Sequence, residues 1–177
     1  FSSGYFDLVM GDFMWWLLSL QRQKILRDQI ARILKPKGSF ISRIHFCDRA
    51  RANQNIEDII KNNLPRLNHD NSNRSQLRET IICKIVDATA DFHTKRLNVK
   101  AAMPAFEKVI SETDNEFLRR FAEELFLRCQ NRTDWTAQTK EEIFARLKEK
   151  IIFADEKFAS DYEDAKFFPV LRFEKNK

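Results

Sequence analysis

Glycine is scarce in this 177-residue chain: there are three, Gly4, Gly11 and Gly38, all before residue 40. None belongs to a GxGxxG or Walker-type loop, so the chain carries no glycine-rich cradle for phosphate of its own. Cysteine is equally sparse. Cys47, Cys83 and Cys129 are odd in number, far apart and without a CxxC or Cys/His spacing. That pattern excludes a disulfide framework and a zinc finger, predicts no bound metal, and suits a reduced, cytoplasmic setting. No apolar run approaches the roughly 20 residues that span a bilayer, and no basic stretch followed by an apolar one marks a secretory leader. The first residue is Phe rather than Met, and the first strand pattern begins almost at once, as in a sequence cut at its amino end.

What is present fits a globular domain. The chain is 43% hydrophobic and 32% charged, too apolar for general disorder and long enough to bury a core. Its net charge of +5 permits contact with nucleic acid. However, Lys and Arg alternate with Asp and Glu along most of the helical segments, which describes a solvated face and not a coherent basic patch.

The opening stretch organises the rest. Phe6-Asp7-Leu8-Val9-Met10 is an apolar run that stops at Gly11-Asp12, and an aromatic stretch with Trp15 and Trp16 follows. Ser19 is the predicted cap of a helix over 20–34, with Leu26, Ile30, Ile33 and Leu34 as its buried stripe and Arg22, Lys24, Arg27, Asp28 and Arg32 mostly outside it. Pro36 ends that helix and Gly38 permits a turn into a strand over 39–46. The pattern is a βαβ unit, and ligands of open α/β sheets bind beyond the carboxyl ends of such strands. From 47 to about 149 the chain reads as helical: a short helix ended by Pro65, a polar loop at 68–73, a helix from Ser75 reaching as far as Phe92, one near Met103–Ile110, one capped by Asp114, and one opened by a Thr139–Glu142 capping box. Two further strands, near 150–158 and 167–174, close the chain, with Pro169 inside the last.

FDLVMGD, a helix and then ILKPKGSFI resemble the fourth strand, helix and fifth strand of class I S-adenosylmethionine-dependent methyltransferases. The closing strands, the last reading Phe168-Pro169-Val170-Leu171-Arg172-Phe173-Glu174-Lys175, resemble that family's sixth strand and antiparallel seventh strand. The resemblance implies an α/β fold: an incomplete Rossmann-like sheet forming one partial domain over 1–177, with a large helical insertion at 47–149 on the substrate side. It implies S-adenosylmethionine as cofactor, a small-molecule methyl acceptor, and a chain that is the carboxyl-terminal part of the enzyme, inactive by itself. The family's glycine-rich loop and its acidic residues for ribose and adenine would all precede Phe1. Lys37 stands where the family usually has the first glycine of its turn, which is tolerable if φ is negative there.

By the same resemblance Gly11, Asp12 and Phe13 line the methionine end of the cofactor. Asp12 and Gly11 also suit a helix cap and a tight turn. Trp15 and Trp16 could wall an acceptor pocket or pack in the core. Arg43 and His45 would reach the same crevice from the end of the next strand, His45 as a base of near-neutral pKa or as a structural ring. His69 and His93 form no metal constellation. A non-enzymatic helical module binding protein or nucleic acid, and a degenerate methyltransferase relative, are the alternatives.

Overall fold

The computed structural model describes residues 1–12, 15–130, 135–159 and 165–176. The chain divides into two compact units: a sheet unit of Phe1–Cys47 with Gln138–Lys177, and a helical unit of Asp48–Ala137. The helical unit thus stops at Ala137 and not near 149, because the capping-box helix belongs with the sheet.

The sheet unit begins with β1 (Phe6–Asp12), α1 (Leu20–Ile33) and β2 (Leu34–Arg43). Ser19 caps α1, its hydroxyl accepting the Arg22 N–H. The helix ends one residue early, since Leu34 is already extended. The strands run parallel, from Leu8 opposite Ser39 to Asp12 opposite Arg43. Phe6, however, faces Leu34, so Lys35 to Gly38 bulge out opposite Asp7. Lys37 takes a φ of +65° in this bulge, the left-handed region where a Cβ costs about 1 kcal/mol. The negative φ that would make a lysine tolerable at this position is not found. A Cβ on Gly38 would stand 2.9 Å from the Lys35 carbonyl oxygen and 3.0 Å from that of Phe6, so close backbone approach demands glycine there.

The chain returns to this sheet through α6 (Lys140–Leu147), β5 (Ile151–Lys157) and β6 (Val170–Lys175). The last strand enters between β2 and β5 and is antiparallel to both, giving the order β1-β2-β6-β5. Pro169 lies just before β6, where it costs no ladder bond, and its carbonyl accepts the Ile44 N–H. The core of this unit gathers Trp15, Ile30, Leu34, Phe40, Ile143, Leu147, Leu171 and Phe173, so α1 and α6 both contribute to the core on one face of the sheet. Side chains alternate along a strand. Leu8 and Met10, on the other face, are accordingly 46% and 72% exposed, with Val170 and Ile152 also exposed.

The helical unit contains α2 (Ile56–Asn63), α3 (Arg74–Ala88), the two-strand ribbon β3 (Ala90–Asp91) and β4 (Arg96–Leu97), α4 (Met103–Glu112) and α5 (Glu116–Gln130). Two expectations are corrected here. The third helix stops at Ala88, and Phe92 lies in the turn of the ribbon, where Asp91 accepts the N–H groups of His93 and Thr94 and the Thr94 hydroxyl. Such an Asx turn competes with helix. The cap of α5 is Asn115, whose side-chain oxygen accepts from Phe117 and Leu118, and not Asp114. Ile60, Ile81, Ile85, Val109, Phe106, Phe121 and Leu125 are the buried interior.

Candidate functional site

The carboxyl ends of β1 and β2 lie side by side, and their last residues form the site. Asp12 and Arg43 are opposite each other in register. Arg43 binds Asp12 in bidentate fashion, Nε to Oδ1 at 2.9 Å and Nη2 to Oδ2 at 2.8 Å. The planar guanidinium matches the planar carboxylate, so the pair is fixed in orientation as well as in charge. Both side chains remain partly open to solvent. Asp12 shares its face of β1 with Leu8 and Met10, and is therefore on the exposed side of the sheet. Each carboxylate oxygen spends one acceptor site on Arg43 and keeps another for a ligand. Gly11, half-buried, precedes Asp12 on the strand. Phe13 lies outside the described residues.

The aromatic residues go elsewhere. Trp15 is 1% exposed and packs near Phe40 in the core. Trp16 is also buried, stacked on the His45 ring with centroids 5.1 Å apart. Phe168 closes the other side of His45, edge-on at 4.9 Å. His45 is thus held in a Trp–His–Phe stack and is 1% exposed. The stack forms because β2 continues as extended chain to Cys47, bonded through Phe46 N–H to Phe167 and through Cys47 N–H to Gln138. The structure therefore joins Asp12 with Arg43, and Trp16 with His45. Trp15 packs in the core.

Arg27 departs from its expected place on a solvated helix face. It is 5% exposed, and Gln23, one turn earlier, is 1% exposed. Arg27 pairs with Asp28 and Glu149 and donates to the Arg146 carbonyl oxygen at 2.8 Å. Gln23 donates to the carbonyl oxygens of Trp15 at 2.9 Å and Leu18 at 3.1 Å. Extending the i, i+4, i+7 spacing back from Ile30 and Leu34 reaches 23 and 27, a signal hidden by the polarity of the residues there. The three cysteines are buried thiols. Among the described residues no helix is long and apolar enough to cross a membrane.

No protein-family model matches the chain, and no curated protein matches it. Solved structures do. The PH0226 protein from Pyrococcus horikoshii OT3 aligns with all of this chain at 14% identity and a TM-score of 0.48. A "possible exported protein" from Bordetella parapertussis aligns with 99% of it at 16% identity and a TM-score of 0.46. The chain spans 54% and 41% of the lengths of those two proteins.

Proposed function

We propose that this chain is the carboxyl-terminal part of a class I S-adenosylmethionine-dependent methyltransferase acting on a small molecule. The observation that carries the proposal is the sheet itself: two parallel strands joined by a crossover helix, with the final strand antiparallel to both of its neighbours. That is the arrangement the FDLVMGD and LKPKGSFI segments call for. The uncovered face adds support. The FDLVM run has the composition of a strand buried on both sides, yet Leu8 and Met10 are exposed on an edge strand. Further strands beside β1, and helices over that face, would cover them.

In this reading Gly11, Asp12 and Phe13 hold the methionine end of the cofactor. The open acceptor sites of Asp12 suit an ammonium group, and the small Gly11 lets backbone approach. Arg43 fixes the Asp12 carboxylate in place. When bound, S-adenosylmethionine supplies an electrophilic methyl group. The protein's task in such a transfer is to align donor and acceptor and to exclude water. Trp16 and His45 would form a rigid wall of the acceptor side.

Isothermal titration of the protein extended upstream by its own coding sequence tests this. Saturable binding of S-adenosylmethionine is expected, weakened at least tenfold by Asp12→Ala through loss of a charge-assisted contact. No detectable binding to the extended protein would sink the proposal. The 177-residue chain alone is expected to bind weakly or not at all.

A further inference from the structure

A cavity of about 140 Å³ lies within the sheet unit, between the first two turns of α1 and the end of α6. Trp15, Gln23, Lys24, Arg27, Arg146 and Glu149 line it. Apart from Leu20, every other side chain in its lining carries a polar or charged group. Trp15 and Gln23 are buried on its inner side, whereas Lys24 is exposed at its rim.

Three features of the lining converge. First, the Trp15 indole N–H is buried and has no hydrogen-bond partner. An orphaned buried donor costs about 1–3 kcal/mol, and native proteins rarely leave one without a water or ligand. Second, the side chains of Lys24 and Arg146 make no ion pair and no hydrogen bond among the described residues. Third, the one acidic residue in the lining, Glu149, is already taken by Arg27. Two uncommitted cations and an uncommitted N–H therefore meet around a space equal to about four or five waters of bulk volume. Side-chain donors outnumber side-chain acceptors in the lining, where the acceptors are the Glu149 carboxylate and Gln23 Oε1.

We propose that this cavity binds a small oxyanion of the carboxylate or phosphate class. One acceptor oxygen takes the Trp15 N–H, and the negative charge is shared by Lys24 and Arg146. Arg27 contributes from within, its guanidinium held rigid by Asp28, Glu149 and the Arg146 carbonyl. Rigid donors lose little entropy on binding, which favours a small ligand in a small space. The site is separate from the Asp12–Arg43 pair and does not depend on the methyltransferase reading.

Nitrogen-15 NMR on the 177-residue chain reads the site directly. The chain has three tryptophans, hence three indole N–H signals, and the Trp15 signal is the one that disappears in Trp15→Phe. Sodium phosphate and sodium acetate are titrated separately at constant ionic strength. The Trp15 signal is expected to shift saturably with at least one of them; the responding anion names the class. Lys24→Gln with Arg146→Gln, both on side chains without partners, should weaken that binding by about tenfold or more while leaving the thermal melt unchanged. A Trp15 signal that does not move, that moves only in proportion to added anion, or that saturates equally well in the double variant overturns the proposal.

Discussion

The two units hold themselves together by different means. The sheet unit is built on rings and on pairings between distant parts of the chain: Phe173 packs with Phe40, Phe144 and Phe153, and Ser39 pairs with Glu174. The helical unit packs aliphatic residues around Phe106 and Phe121 and laces its surface with ion pairs between helices. Lys61 bridges Glu57 and Glu112, and Lys108 also reaches Glu57, tying α2 to α4. Arg74 and Arg78 grip Glu124, tying α3 to α5. The difference teaches where each unit is vulnerable. Cavities should hurt both equally, whereas the ion pairs between helices add an acid-sensitive contribution to the helical unit.

The largest effects test the first half of that comparison. Phe106 and Phe173 are both essentially buried, one in each unit. Truncation of a buried phenylalanine to alanine costs about 3–5 kcal/mol in transfer and cavity terms. Phe106→Ala and Phe173→Ala are each expected to lose that much in urea unfolding. Hydrogen exchange should locate the loss of protection in α4 and α5 for the first and in β2, β5 and β6 for the second. Equal loss across both units from either variant would break the comparison.

A smaller effect tests the second half. Four carboxyls of the helical unit are held below the usual range. For Glu57 the cause is hydrogen bonding from Lys61 and then Lys108; for Asp91, the Thr94 hydroxyl and then the N–H groups of Thr94 and His93; for Asp70, the Ser72 N–H. At Glu124 burial pushes upward, but the hydrogen bonds from Arg74 and Arg78 outweigh it. A depressed folded pKa contributes stability that is complete above the unfolded value of about 4 and is lost as pH falls through the lower folded value. The urea midpoint of the helical unit should therefore fall progressively as the pH drops below the unfolded carboxyl value of about 4. Glu124→Gln should cost about 1 kcal/mol at neutral pH, the scale of a partly exposed network, and make the acid loss shallower. A pH profile identical to that of the unmodified chain would remove the ion pairs from the account.

Legibility followed the same division. The ends of the chain could be read because strand and turn geometry dictates residue type: an apolar run stopping at Gly11-Asp12, Pro36 and Gly38 at the turn, Pro169 at the start of a strand. The pairing of Asp12 with Arg43 could not be read, since it depends on strand register and not on spacing. Arg27 was hidden because a buried arginine looks like a solvated one until its distant partners, the Arg146 carbonyl and Glu149, are known. In the helical unit the stripes were legible, but the ribbon at Ala90–Leu97 and the Asn115 cap were not. Asp91 and Asn115 act through local side-chain bonds to backbone, and neighbouring polar residues in each stretch offer the same chemistry.

The smallest effect concerns the one place where the sheet unit departs from what its turn demands. Lys37 sits at φ +65° beside Gly38, which has no room for a Cβ. A non-glycine residue in the left-handed region costs about 1 kcal/mol or slightly more. Glycine removes that cost but enlarges the conformational freedom of the unfolded chain, taking back roughly half of the gain. Lys37→Gly is therefore expected to stabilise the sheet unit by about 0.5 kcal/mol, and Lys37→Asn by a similar amount, because asparagine tolerates the left-handed region. Lys37→Val should destabilise it, since β-branching makes a positive φ costlier still. Urea midpoints of the three variants decide the matter: the order Gly and Asn above Lys above Val follows from backbone conformation alone. Loss of stability in both Gly and Asn variants would show that the lysine side chain contributes a contact strong enough to hold the bulge against its own backbone.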